Sequence, residues 1–163
     1  MIKQFVPQEA CLKCRCCCRF KEADSPWSPA FLYEEVKTLV DNNIPPSCFS
    51  REGRGHLILS AKAEYFICTF FKEDNNSCNI YPMRPLECQL YPFMINRQEN
   101  RVYLALDQGC PFIQDKLKNK SFLEYLSYLK DFFSDPLVRK ALKENPQVIQ
   151  SYPGLLNLVE IKF

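Results

Sequence analysis

Cysteine side chains carry most of the chemistry that this sequence could perform. Ten of its 163 residues are cysteine, and five of them lie within eight positions, in the segment CLKCRCCCRF that runs from 11 to 20. Two residues separate each of Cys11, Cys14 and Cys17 from the next. This gap lets neighbouring thiolates face one metal ion or one iron–sulfur cube. The segment therefore predicts a metal centre ligated by sulfur.

The other two cysteines of this segment do not fit the two-residue spacing. Cys18 follows Cys17 directly, and the side chains of adjacent residues diverge in most backbone conformations. Either one of these two is spare or they serve different centres. Cys16 completes a string of three cysteines, and we expect it to be a bystander.

A second set of cysteines is spread singly along the chain. Cys68, Cys78 and Cys88 recur every ten residues, and Cys110 follows them. This set contains no second Cys-x-x-Cys pair, which a structural zinc site usually has. An iron–sulfur cluster accepts three clustered cysteines and a remote one. All-thiolate ligation suits iron–sulfur, zinc and Cu(I). The spacing favours an iron–sulfur cluster over zinc, and among the clusters we expect the [4Fe–4S] type.

The stretch between residues 78 and 93 is rich in proline. Prolines follow Tyr81, Arg84 and Tyr91 directly, and a proline biases the residue before it towards extended backbone. We therefore expect Cys78 and Cys88 to sit in a fixed, non-helical frame. The hydroxyls of the two tyrosines could donate hydrogen bonds to sulfur or to a substrate, although simple packing is the commoner role of such residues.

Basic residues accompany both sets of cysteines. Four thiolates leave a net charge of −2 around Zn²⁺ and around a [4Fe–4S]²⁺ cube alike, and a partly buried dianion needs hydrogen-bond donors and positive charge. Arg84 lies between two prolines and two cysteines and offers five N–H donors. Hydrogen-bond donors and positive charge around the segment 11–20 could come from Lys13, Arg15 and Arg19. The alternative is that Arg84 is a surface residue without a partner.

Taken in order, these pieces resemble the CxxCxxCC cysteine-cluster family, a YkgJ-like zinc- or iron-chelating domain. The resemblance spans about residues 11–112, including Cys110-Pro111 at its end. The family is also similar to a module of flagellin lysine N-methylases in which an iron–sulfur cluster is implicated. It implies eight metal-ligand cysteines, namely Cys11, Cys14, Cys17, Cys18, Cys68, Cys78, Cys88 and Cys110. It leaves Cys16 and Cys48 outside. The usual small residue after the second cysteine is replaced by Arg15-Cys16, so Cys16 could compete as a ligand.

Composition restricts the class of protein. Residues 1–10 lack the apolar run of about 7–15 residues that a secretory signal needs, and no segment approaches the ~18 unbroken apolar residues of a membrane span. We therefore expect a cytoplasmic protein whose thiols bind metal rather than form disulfides. The net charge of +2 indicates no nucleic-acid surface. The only histidine, His56, is expected in a turn rather than in catalysis.

Periodicity predicts the elements that position these residues. Ser28-Pro29 is expected to cap an amphipathic helix that ends near Asn42-Asn43. Short strands are predicted at 56–59 and 67–71, and a hairpin at 93–95 and 102–106. A capping box at Ser121 should begin one helix and Asp135-Pro136 another. The fold class is α+β: a small irregular strand and loop core around the cysteine site, with a C-terminal helical cover.

We predict a single domain over residues 1–163, with its metal-binding part at about 11–112 and its helical part at about 115–163. Its expected function is electron transfer or a cluster-dependent step in protein modification, in which a partner protein could take part. The alternative is a structural zinc protein that serves as a macromolecular interaction module. A weaker third hypothesis is metal delivery.

Overall fold

The computed structural model describes residues 2–14, 16–50 and 55–163. Five α-helices and eight short strands are found in these ranges, together with 3₁₀ turns at Pro46–Cys48, Tyr81–Met83 and Pro146–Val148. The helices are α1 (Gln8–Cys14), α2 (Tyr33–Asp41), α3 (Leu86–Leu90), α4 (Lys120–Ser134) and α5 (Pro136–Glu144). The strands are β1 (Arg19–Phe20), β2 (Leu59–Ala61), β3 (Phe66–Cys68), β4 (Phe71–Lys72), β5 (Ser77–Cys78), β6 (Phe93–Gln98), β7 (Arg101–Leu106) and β8 (Leu156–Glu160).

The strands form three small antiparallel sheets. Their orders are β1-β3-β2, β4-β5 and β6-β7-β8. The predicted hairpin is confirmed: Phe93 pairs with Leu106 and Gln98 with Arg101, which leaves a two-residue turn at Glu99-Asn100. The expected α+β class with a C-terminal helical region is therefore what the chain adopts.

The larger hydrophobic core lies between the β6-β7 hairpin and α4. Phe93 is fully buried, and its ring stacks on Phe122 with the centroids 5.7 Å apart. Phe5 from the N-terminal segment meets Phe93 edge-on at 5.9 Å and Tyr125 at 5.0 Å. Aromatic pairs of this kind add about 0.5–1.5 kcal/mol each to the burial of their area. The N-terminal segment is thereby fixed to the helical region.

A smaller core supports the cysteine-rich part of the chain. Phe31, Phe49 and Phe70 are buried there, and the ring centroids of Phe31 and Phe49 are 5.2 Å apart. Cys48, Cys68 and Cys78 are half-buried against this second core. Two of the predicted ligands therefore pack on an apolar base.

Helix α2 begins later than the sequence predicts. Ser28 is not its cap, because the Ser28 hydroxyl donates to the Leu57 carbonyl at 3.1 Å. The helix begins after Leu32, whose N–H donates to Glu35 Oε2 at 2.9 Å. The prediction placed the cap at the first suitable residue, whereas a tertiary contact of Ser28 uses that hydroxyl elsewhere.

The C-terminal part differs from a purely helical cover in two respects. Helix α4 is capped by Asn119 through its backbone, so the capping box predicted at Ser121 is wrong. Residues 156–160 form β8, which adds an edge strand to β7. The Asp135 cap of α5 is confirmed, since its carboxylate accepts the Leu137 N–H at 2.7 Å.

Helices long and apolar enough to cross a membrane are not found in the described ranges.

Candidate metal centre

Helix α1 carries the first two predicted ligands. It begins after Pro7, whose carbonyl accepts the N–H groups of Ala10 and Cys11 at 3.1 Å each. Residues three apart in a helix lie on the same face, so Cys11 and Cys14 share one side of α1. The two-residue spacing of the sequence is thus a helical spacing here.

Cys17 and Cys18 follow α1 and join it to the first sheet. The Cys18 carbonyl accepts the N–H of Cys68 at 3.0 Å, and β1 pairs with β3 through Arg19 and Ile67. One backbone hydrogen bond therefore links two cysteines that lie fifty residues apart in sequence. The N-terminal segment is held against β3, which ends at Cys68.

Cys78 comes from the neighbouring two-stranded sheet. It closes β5 and pairs with Phe71 of β4. The turn between these strands needs a left-handed residue, which is Asn76 with φ of 52°. This turn returns the chain and brings Cys78 beside Cys68.

The proline-rich stretch is partly helical, contrary to the prediction. Arg84 and Tyr91 are extended as expected, but Tyr81 begins a 3₁₀ turn and Cys88 lies in the middle of α3. The proline before α3 stands in its N-cap position, where a missing N–H is tolerated. The prediction treated prolines as breakers and overlooked that one can precede a helix.

These segments converge on one cavity of about 290 Å³. Six of the eight predicted ligands line it. They are Cys11, Cys17, Cys18, Cys68, Cys78 and Cys88. Much of the remaining wall is apolar, with the rings of Trp27, Phe31, Phe70 and Phe71 among it. A low-dielectric wall strengthens every electrostatic interaction inside the cavity.

The other four cysteines differ in position. Cys16 also lines the cavity and is exposed, whereas Cys14 and Cys110 are not among its lining residues. Cys48 packs in the second core, and its carbonyl accepts the Ile58 N–H at 2.9 Å. All ten cysteines are free thiols.

Burial and mutual contact disfavour the thiolate form of several of these groups. A hydrogen bond to Cys17, followed by burial, raises the pKa of Cys11 well above its ordinary value. Burial raises the pKa of Cys68 to about 12 and that of Cys88 well above the usual range. These groups are neutral thiols at pH 7, so a metal that binds them must displace protons.

Arg84 supplies positive charge to the site. It is only 8% exposed, and its guanidinium carbon lies 3.7 Å from the centroid of the Tyr81 ring. Its charge favours the thiolate forms of Cys11, Cys78 and Cys88 and so acts against the rise in their pKa values. The alternative of a surface arginine without a partner is wrong.

Gln4 is a part of the site that the sequence did not indicate. Its Oε1 accepts Arg84 Nη2 at 2.7 Å and the Tyr81 hydroxyl at 3.3 Å. The Nε of Arg84 is buried and has no hydrogen-bond partner. Gln4 thus holds one side of the guanidinium, while the Nε–H is enclosed and unpaired. A single glutamine eighty residues away in sequence leaves no local pattern that could have revealed it.

Other predicted contributors have contacts of their own. The Tyr91 hydroxyl donates to Asp107 Oδ2 at 2.9 Å, and both residues line the cavity. Arg19 lines it too and reaches Glu73 Oε1 at 3.5 Å. Lys13 is exposed, Arg15 lies outside the described residues, and His56 forms a β-bridge with Ala30.

The donors present fit a soft, sulfur-loving metal. They are thiols beside an arginine with a spare N–H, in an apolar cavity many times the ~15 Å³ that holds one water. Across 2–14, 16–50 and 55–163, no three cysteine, histidine or carboxylate side chains are arranged as the coordination sphere of one ion. Ligation would therefore require side-chain rotation.

The model of the CxxCxxCC family, described as "Putative zinc- or iron-chelating domain", matches residues 10–111. The chain belongs to this family. The match begins beside Cys11 and ends after Cys110, so it contains all eight cysteines of the expected ligand set. No curated protein and no solved structure matches the chain. The CxxCxxCC domain thus accounts for the cysteine-lined cavity, while the family description leaves open whether zinc or iron is bound.

Proposed function

We propose that the CxxCxxCC domain holds an iron–sulfur cluster of the [4Fe–4S] type and serves electron transfer or a cluster-dependent protein modification. Its ligands would be drawn from the eight cysteines of the family pattern, foremost the six that line the cavity. The convergence of these six thiols on one cavity carries the proposal. They arrive from three stretches of chain, at 11–18, 68–78 and 88.

The size of the cavity favours a cluster over a single ion. A tetrahedral zinc ion and a [4Fe–4S] cube each take four thiolates, and the seven thiols that border the cavity are enough for either. Its volume of about 290 Å³ also exceeds the needs of one ion. A cluster bound there would supply reversible one-electron chemistry.

The residues around the cavity would meet the needs of an anionic centre. Arg84 would direct its unpartnered Nε–H and its charge at sulfur, and Gln4 would hold the guanidinium in place. Hydrogen bonds to sulfur and solvent exposure set the reduction potential of such a centre. Tyr81 and Tyr91 line the same cavity and would complete its polar border.

Exposure at one side of the cavity suits exchange with a partner. Cys16 and Cys17 are exposed and line the cavity. A protein that donates or accepts electrons could approach the centre there. The cytoplasm would keep the thiols reduced and available.

A structural zinc site is the second candidate, and the sparse secondary structure around the cysteines favours it. Strands β1, β4 and β5 have only two residues each, and short elements of this kind gain much of their stability from a bound metal. In that case the domain would act as an interaction module.

Anaerobic purification followed by elemental analysis tests the proposal. We expect iron and acid-labile sulfide in equal amounts, with absorbance near about 400 nm that dithionite bleaches reversibly. Zinc at full stoichiometry without iron or sulfide would refute the cluster and support the structural site. Rapid loss of the metal to a chelator would instead indicate metal delivery.

A further inference from the structure

A second pocket lies among the helices. It has a volume of about 170 Å³, and much of its wall is apolar, with Leu32, Leu86, Phe132 and Val138 among it. Leu32 directly precedes α2, and the other three lie on α3, α4 and α5. Among the described residues, none lines both this pocket and the cysteine cavity. It is therefore a separate site, which we call the helical pocket.

Helix α3 lies between the two sites. Its Leu86 and Gln89 are three residues apart, so they share one face, and both line the helical pocket. Cys88 of the same helix lines the cysteine cavity instead. On α5, Val138 and Ala141 have the same three-residue spacing and also line the helical pocket. Facing helices thus build this pocket from regularly spaced residues.

Glu35 brings a charge into the helical pocket. Among the described residues that line it, no other is charged. The Glu35 Oε1 accepts the Leu86 N–H at 2.7 Å and its Oε2 accepts the Leu32 N–H at 2.9 Å, which leaves lone pairs on both oxygens. Within 2–14, 16–50 and 55–163, no lysine or arginine forms an ion pair with this carboxylate. Its burial, which raises its pKa, is therefore not offset by a positive charge.

Gln89 brings a second acceptor to the same pocket. Its Nε2 donates to the Arg84 carbonyl, which fixes the orientation of the amide. Its Oε1 is buried and has no hydrogen-bond partner. A buried acceptor left unpaired costs free energy that a donor from a ligand would recover. The helical pocket thus offers hydrogen-bond acceptors and a negative charge against an apolar wall.

We propose that the helical pocket binds a small organic ammonium ion, a primary amine attached to an apolar group about the size of a benzene ring. An ammonium group carries three N–H donors and one positive charge, and Glu35 and Gln89 would accept its N–H groups. An engineered apolar cavity of about 150 Å³ holds benzene, so a pocket of about 170 Å³ has room for such a group. A neutral alcohol would leave the carboxylate without a counter-charge, and an anion would be repelled by it.

Calorimetric titration of the full-length protein with benzylamine tests this site. Benzyl alcohol and benzoate serve as the neutral and anionic ligands of the same shape, in phosphate buffer at pH 7 and constant ionic strength. Glu35→Gln removes the charge, and Glu34→Gln is the matched control, because Glu34 is an exposed carboxylate on the same helix that does not line the pocket. Ala141→Leu fills the pocket and keeps the carboxylate. Circular dichroism checks that each variant is folded.

We expect wild type and Glu34→Gln to bind one benzylamine per chain with a dissociation constant of about 1 mM or lower. Glu35→Gln and Ala141→Leu should each weaken binding by about tenfold or more, and benzyl alcohol should bind wild type correspondingly less tightly. The inference would be overturned by equal affinities of Glu35→Gln and Glu34→Gln, by unchanged binding to Ala141→Leu, or by benzyl alcohol binding as tightly as benzylamine. Absence of benzylamine binding to wild type up to about 10 mM would overturn it as well. The metal content of the samples does not enter this result, because the two sites share no lining residue.

Discussion

Replacing Arg84 should weaken metal binding far more than it weakens the fold. In the metal-bound protein its charge would face a dianion. Counting only one unit of that charge, at about 5 Å and an effective dielectric constant of ~20, the attraction contributes about 3 kcal/mol. Arg84→Met should therefore lower the affinity for the metal roughly a hundredfold.

The stability of the metal-free protein responds to opposing changes at the same residue. Arg84→Met loses the charged hydrogen bond to Gln4, worth about 1.5–3 kcal/mol, and the contact with the Tyr81 ring, worth about 1–2 kcal/mol. It also removes a buried charge whose Nε has no partner. Keeping such a charge buried costs the folded state several kcal/mol, so its removal is stabilising. We expect the free energy of unfolding to change by no more than about 1 kcal/mol, because these contributions offset one another.

Chelator competition measures the affinity, and urea unfolding of the apoprotein measures the stability. Arg84→Lys should give an intermediate affinity, because it keeps the charge without the planar fork. Arg139→Met serves as the control, since Arg139 is a partly buried arginine that donates to the Phe133 carbonyl in the helical region. An affinity of Arg84→Met within about threefold of wild type would refute the view that this charge offsets the charge of the centre.

Three further results are expected. Phe93→Ala should lower the free energy of unfolding by about 3–5 kcal/mol in urea titrations, because this ring is fully buried, while Leu137→Ala on the exposed side of α5 should change it by less than about 0.5 kcal/mol. Burial raises the pKa of Glu35. The protonated carboxyl therefore stabilises the fold below the ordinary pKa near 4.5, and this stabilisation is lost as pH rises through the pKa of the folded state. The free energy of unfolding, measured in urea at a series of pH values, should accordingly fall less steeply just above pH 4.5 in Glu35→Gln than in wild type. Identical slopes in the two proteins would contradict this. Acidification should release the metal at a pH where the apoprotein is still folded, as followed by metal analysis alongside circular dichroism, since protons compete for the thiols.

The cysteine pattern could be predicted from the sequence because the spacing of ligands is a local property. The two-residue gaps between Cys11, Cys14 and Cys17 predicted a cysteine site, and the family match adds the distant cysteines; Cys11 and Cys17 line the cavity, whereas Cys14 does not. The hairpin at 93–106 was equally visible, because two apolar runs flank a short polar turn. The assignment of these cysteines as ligands stays a prediction.

Features that depend on distant contacts could not be predicted. Gln4 contacts Arg84 across eighty residues, and the Ser28 hydroxyl is taken by Leu57. Strand β8 has only five residues, and it is a strand because β7 offers a free edge. In each case a tertiary partner decides the outcome, and the local sequence carries no sign of that partner.

The N-terminal segment that leads into α1 is anchored on α4. The Lys3 N–H donates to the Tyr128 hydroxyl at 3.0 Å, and the Lys3 carbonyl accepts the Tyr125 hydroxyl at 2.6 Å, across 125 and 122 residues of sequence. During synthesis the first cysteines leave the ribosome long before their anchor is translated. Docking of the N-terminal segment on α4 therefore comes late in folding, and until then the cysteines at 11–18 lack the contacts that position them.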